Sequence, residues 1–251
     1  MQRPSQISPR ASNISTVSRS ALKSKDYGEQ IRATAGLGNK VRVRAGDKWL
    51  YGGASGTGKS FAKRKIVERL QRMYPTASYY VLDTGQGDDY DHLAQYRVVS
   101  DKAPGRRAGN ARIQVWAPEI EIPGEIEKWL WMVRNDAPAI LDIDEALSLH
   151  YGGRVVSEEF SRLLKICRKL PISIHTASQE LVRVPRNIIG QVNHVLRFGL
   201  SHPYEVMLMN SMLKDNIKDL PGEHALAYRN TRGGVAKVYK DIQEFLGDSD
   251  E

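Results

Sequence analysis

The sequence predicts an α/β protein with a mainly parallel central sheet and helices on both faces. Three observations carry that expectation. Short β-rich runs alternate along the chain with helical stretches of a dozen residues or more. A glycine-dense segment, "YGGASGTGKS", joins one such strand directly to one such helix. Near the end, "HALAYRN" and "VAKVYK" flank a Gly-Gly turn, which adds a closing β-hairpin.

The elements follow in chain order. Residues 1–40 are rich in Ser, Arg and Gln without apolar periodicity, and are expected to form a disordered basic tail. The folded body is expected over 41–242, followed by an acidic tail over 243–251. "DKWLYGG" reads as a strand entering the glycine loop. Residues 59–74 read as a helix with Phe61, Ile66, Val67, Leu70 and Met73 on its buried stripe, stopped by Pro75. The basic residues of that helix (Lys63, Arg64, Lys65, Arg69, Arg72) are expected on a solvated face, with Glu68 paired to Arg72. "SYYVLDT" is the next strand. A basic loop over 101–112 leads into the strand "IQVWAP".

Residues 123–136 read as a helix with proline in its first turn and Ile126, Trp129, Leu130 and Val133 on one face. "PAILDID", 138–144, is a buried strand. Residues 157–170 form a helix with Ser157 as N-cap and acids in the first turn. Strands over 171–178 and 193–200, and a helix over 202–214, precede the hairpin.

The totals narrow the class. A chain of 251 residues can bury one sizeable core. The single cysteine, Cys167, excludes a disulfide within the chain and reads as a core residue. No apolar run is long enough to span a bilayer, so no membrane span is expected. The net charge of +8 is uneven: the first 46 residues hold nine Lys or Arg against two acids, a net of +7. A basic tail of this kind suits a polyanion such as nucleic acid, or simply solvation. His150 and Tyr151 lack metal-ligand spacing, and no serine or cysteine nucleophile array is present.

Residues 53–60 match G-x-x-x-x-G-K-[ST] at every position: Gly53, Ala54, Ser55, Gly56, Thr57, Gly58, Lys59, Ser60. Small residues let backbone N–H groups turn inward around phosphates, and the following helix points its positive end at them. Lys59 is placed to reach the β- and γ-phosphates, and the Ser60 hydroxyl to hold Mg²⁺. The chemistry also needs a carboxylate for the metal and a group that positions water. "AILDIDEA" supplies both at a strand tip: Asp144 for Mg²⁺ and Glu145 for the water. Asp142 falls two residues earlier, on the same strand face as Asp144.

Four stretches carry a resemblance: "GGASGTGKS", "YYVLDTGQGDDY", "AILDIDEA" and "ICRKLPISIHTASQELVRVPRNIIGQVNHVLRFGL". Together they resemble the FtsK–HerA class of P-loop translocases, particularly the small genome-packaging ATPases of tailless, membrane-containing viruses. The likeness covers roughly residues 45–200. It implies a RecA/FtsK-like P-loop NTPase fold that binds ATP and Mg²⁺. It further implies hydrolysis at subunit interfaces of a homo-oligomeric ring, six subunits expected, that moves double-stranded DNA. Capsid or membrane-vertex proteins are the further partners implied, in the host cytoplasm or at a packaging vertex of the virion. Residue by residue, Gln179 resembles a sensor of the γ-phosphate and Asp83 the acid ending the second strand. Arg168 resembles an arginine finger, with Arg162 on the same helix as the alternative. Thr176, Val184 and Pro185 complete the match, although Ala177 and Ser178 separate Thr176 from Gln179, a departure from the usual pattern.

Three rivals remain at this level. A conjugation-type or filamentous-phage assembly ATPase shares the core, the latter usually with a membrane span. A small-molecule kinase would use "PGRRAGNAR" as its lid. A nucleotide switch would have no use for Glu145. "LDIDE" with "HTASQ" fits a water-activating motor better than a kinase. The loops 101–112 and 150–156 are the candidate DNA contacts, each with glycines and Lys or Arg.

Overall fold

A computed structural model of the chain describes residues 45–85, 90, 96–105, 112–151 and 155–247. The basic tail expected over 1–40 lies outside the described residues, as do 106–111 and 152–154 of the two candidate DNA loops.

Nine strands form one sheet. In chain order the main elements are β1 (Lys48–Gly52), α1 (Lys59–Met73), β2 (Ser78–Leu82), β3 (Tyr96–Val99), β4 (Ile113–Ala117), α2 (Pro123–Asn135) and β5 (Ala139–Ile143). A 3₁₀ turn, Ala146–Leu149, leads to a separate two-stranded ribbon, β6 (His150–Tyr151) with β7 (Val155–Val156). Then come α3 (Glu158–Ile166), β8 (Ile172–Ser178), α4 (Arg186–Ile189), β9 (His194–Arg197), α5 (Pro203–Leu213), β10 (Leu226–Asn230), β11 (Lys237–Tyr239) and α6 (Ile242–Leu246). The spatial order is β11-β10-β9-β1-β8-β5-β2-β4-β3. All neighbours are parallel except β9 with β10 and β10 with β11.

The layers follow from side-chain alternation along the strands. Trp49, Tyr51, Tyr79, Val81 and Ile140 point to one face, where Ala62, Ile66, Val67 and Leu70 of α1 and Phe245 of α6 cover them. Tyr80, Leu82, Leu141 and Ile143 point to the other, under Trp129, Leu130 and Val133 of α2 and Phe160, Leu163 and Leu164 of α3. Leu50 and Val195 pack on that second face with Met209 and Leu213 of α5. Ser157 caps α3 by accepting the Phe160 N–H at 3.1 Å.

Three expectations need correcting. Phe61 is not on the buried stripe of α1; it is 43% exposed. It stands five residues before Ile66, about 140° around the helix, and Ala62 takes the buried place instead. Lys63 is not solvated but fully buried, and the ion pair found on the exposed side is Lys65 with Glu68. The folded body also continues past residue 242, because Phe245 and Leu246 of α6 are buried. Strand β3 has no counterpart in the sequence reading. Its four residues, "YRVV", are too short and too mixed in polarity to stand out.

Candidate functional site

The glycine segment leaves the carboxyl end of β1 and turns straight into α1. Its shape depends on missing side chains. A Cβ on Gly53 would lie 2.7 Å from the Phe198 Cβ and 2.9 Å from the Thr57 hydroxyl. Gly56 and Gly58 have φ of +77° and +92°, the left-handed region. The loop is fastened at its start: Gly53 N–H donates to Ser178 O at 3.3 Å, and Ala54 N–H to Gly199 O at 2.8 Å. Thr57 Oγ1 and Lys59 Nζ both donate to Ala54 O, at 2.8 and 2.6 Å. The Lys59 amine is thus folded over the loop.

This loop forms one wall of a cleft of about 590 Å³. The structure brings Ser55, Gly56, Gly58, Lys59 and Ser60 to it from the loop and the start of α1. Asp144 and Glu145 reach it from the tip of β5, and Gln179 from the tip of β8. The strand order explains the convergence. β8 lies between β1 and β5, so the three carboxyl ends open onto one crevice. Asp83, at the end of β2, also faces it and is ion-paired with Arg97 on β3 at 3.2 Å.

The electrostatics are coupled. Burial holds the Lys59 amine below its ordinary range, while Glu145 and Asp144 pull the other way. Burial pushes the Glu145 carboxyl up, opposed by hydrogen bonds from the backbone N–H groups of Gln179 and Leu147. Glu145 Oε2 accepts the Gln179 N–H at 3.1 Å. Glu145 therefore has a fixed orientation and a raised proton affinity, two properties of a group that takes a proton from water.

Ser60 and Asp144 offer hard oxygen donors, which suit Mg²⁺. Among the described residues no group of three or more His, Cys, Asp or Glu is arranged to chelate a metal by itself. A metal held here would therefore complete its shell with oxygens from water or a bound phosphate.

Arg168 and Arg162 lie apart from this cleft. The Arg168 Cα is 3.0 Å from the position of a Cβ on Gly46, which precedes β1. Arg168 thus sits at the entry edge of the sheet, one strand length or roughly 16 Å from the glycine loop. It cannot act on the cleft of its own chain. Arg162 is exposed and paired with Glu158 at 2.6 Å and Glu159 at 3.6 Å.

Two features escape the sequence reading. One is Lys63, buried against Asp142 and Asp144 at 2.8 and 3.0 Å. The other is a second cavity of about 390 Å³ on the far side of Gly58 and Phe61, walled by Phe198, His224 and Ile242. These residues come from distant parts of the chain, so no local pattern reveals them.

Sheet order, glycine loop and acidic strand tip together define a P-loop NTPase fold of the FtsK-like type. The particular structures it is similar to include the genome-packaging NTPase B204 of Sulfolobus turreted icosahedral virus 2 in complex with ATPγS. That match has a TM-score of 0.64 at 14% identity, over 78% of this chain and 98% of that one. The DNA-packaging ATPase B204 of Sulfolobus turreted icosahedral virus matches with a TM-score of 0.64 at 14% identity, over 79% and 99%. The cytoplasmic domain of the type VII secretion ATPase EccC from Thermomonospora curvata gives 0.51 at 11%, over 78% of this chain and 24% of that one. At such identities the likeness is one of fold. No protein-family model and no curated protein sequence matches the chain.

Proposed function

We propose that this protein is an ATPase that couples ATP hydrolysis to movement of double-stranded DNA, in the setting of viral genome packaging. One observation carries the reading: the glycine loop with Lys59 and Ser60 opens onto the same cleft as Asp144, Glu145 and Gln179. The fold shared with B204, described as a genome-packaging NTPase and solved with ATPγS, supports it.

In this reading backbone N–H groups of residues 54–60 receive the phosphates, and Lys59 swings from Ala54 O onto a phosphate oxygen. The cavity between Phe198 and Ile242 receives the nucleobase, sharing Gly58 and Phe61 with the phosphate cleft. Ser60 and Asp144 hold Mg²⁺, which neutralises phosphate charge when bound. Glu145 orients water and takes its proton. Gln179 reports the state of the γ-phosphate along β8. Arg168, remote from its own cleft, serves a neighbouring subunit's nucleotide in a ring, for which six copies are expected. The basic tail and the loops 101–112 and 150–156 are the surfaces offered to DNA, and capsid or vertex proteins the further partners. No helix among the described residues is long and apolar enough to cross a membrane.

The experiment is ATP hydrolysis with and without double-stranded DNA, in wild type, Lys59→Ala and Glu145→Gln. Stimulation by DNA in wild type, absent from both variants, is expected. A rate indifferent to DNA but raised by a phosphate acceptor would replace the motor with a kinase.

A further inference from the structure

Lys63 stands one helical turn after Lys59 on the same face of α1 and reaches the acidic strand. Its amine is fully buried, 2.8 Å from Asp142 Oδ1 and 3.0 Å from Asp144 Oδ1. Asp142, also fully buried, accepts the Tyr79 hydroxyl at 3.0 Å on its other oxygen. The Tyr90 hydroxyl lies 3.4 Å from both Asp142 Oδ2 and Asp144 Oδ1, and the Tyr90 ring faces the amine at 5.5 Å. Four side chains from three segments thus enclose a single cation.

A buried ion pair of this kind is a poor device for stability, since an apolar replacement of equal volume often does as well. Its geometry does something an apolar cluster cannot. Asp144 has one oxygen taken by Lys63. The other, Oδ2, is turned toward the cleft, 3.2 Å from the position of a Cβ on Gly85. The helix that supplies the clamp is the helix that begins with Lys59 and Ser60. The distance between the hydroxyl and the carboxylate proposed to share a metal is therefore fixed through Lys63, and not by β5 alone.

We infer that Lys63 is a positioning residue: it clamps Asp144 so that the free carboxylate oxygen faces the metal position beside Ser60. The inference rests on the Mg²⁺–ATP reading of the cleft. Partners that orient metal ligands are typically worth roughly 10–100-fold in metal affinity.

The test is the Mg²⁺ dependence of nucleotide binding, measured with a fluorescent ATP analogue in Mg²⁺ and in EDTA. Lys63→Met alone strands a buried carboxylate and is liable to unfold the chain. The informative protein is Lys63→Met/Asp142→Asn, which removes one charge of each sign and leaves the local net charge unchanged. Its fold is checked by thermal melting. The expected result is EDTA affinity like wild type, with the gain in affinity from Mg²⁺ reduced roughly 10–100-fold. Asp142→Asn alone keeps the clamp and retains the gain. A full Mg²⁺ effect in the folded double variant overturns the inference, as does its loss in Asp142→Asn alone. If Lys59→Ala binds the analogue like wild type, the nucleotide reading itself fails, an outcome separate from either.

Discussion

The carboxylate of Glu145 accepts the backbone N–H of Gln179 at 3.1 Å, tying the tip of β5 to the tip of its neighbour β8. The contact fixes the acid without using its second oxygen on the same donor. In Glu145→Gln the amide oxygen can still accept the Gln179 N–H, and only the longer bond from the Leu147 N–H at 3.3 Å is given up. Nucleotide affinity is expected to stay near wild type while hydrolysis falls roughly 10²–10⁴-fold, the usual worth of a positioned base. Phosphate release and a binding titration on the same protein check it; a near-wild-type rate would remove Glu145 from the reaction.

A buried imidazole makes stability fall in acid. His175 is fully buried and its Nδ1 lies 2.8 Å from the Tyr51 hydroxyl, while Nε2 finds no hydrogen-bond partner among the described residues. Burial, then the charge of Lys63, holds it well below the ordinary imidazole range near 6.5. In the unfolded chain it protonates as pH drops below about 6.5. The unfolded state then binds the extra proton, so the contribution of His175 is complete above that pH and is lost as pH falls toward the folded value. Melting temperatures from pH 8 down to pH 5 should fall, and less steeply in His175→Gln.

Gly53 is a position where one methyl is costly. The added Cβ meets the Phe198 Cβ at 2.7 Å, and Phe198 is held at the end of β9 by its N–H to Gly52 O at 2.8 Å. Something must shift, because the clash is with a Cβ fixed directly to the backbone after β9 and not with the end of a flexible side chain. Gly53→Ala is expected to cost about 1–3 kcal/mol of stability and to weaken triphosphate binding. Melting and titration together check it; unchanged values in both would show that the loop has slack.

In the proposed reading Arg168, a strand length from the glycine loop of its own chain, acts in trans. Arg168→Ala and Lys59→Ala are each expected to be inactive alone. Mixed, they should recover part of the activity, because some interfaces pair an intact loop with an intact arginine. No recovery on mixing, in a mixture shown to co-assemble, removes Arg168 from this role.

The elements with strong local signals are legible in the sequence. The strand–glycine loop–helix unit follows from residue size and charge. The helix with Trp129 and Leu130 on one face follows from spacing, and the Ser157 cap from its hydroxyl and the acids after it. The tip of β5 was legible because two acids end an apolar run. What stayed hidden depends on contacts across the fold. Lys63 looks like any lysine of a basic helix, and the facing Asp142 and Asp144 draw it inward. Phe61 reads as core because it is aromatic, yet helix geometry turns it to the cleft mouth. The cavity beside Gly58 needs Phe198, His224 and Ile242 at once, and nothing in a local window joins them.

The reversal of strand direction after β9 has a bearing on how the molecule can be shortened. Every recognisable motif lies before residue 200, and the hairpin with its last short helix invites dismissal as an appendage. Yet His224 and Ile242 wall the second cavity, and Tyr228 lines up beside the His194 ring that stacks on Trp49 in the middle of the sheet. A fragment trimmed to its motifs would thus keep the whole signature and lose a side of the chamber it serves, along with the end of an aromatic row running back to the central strand.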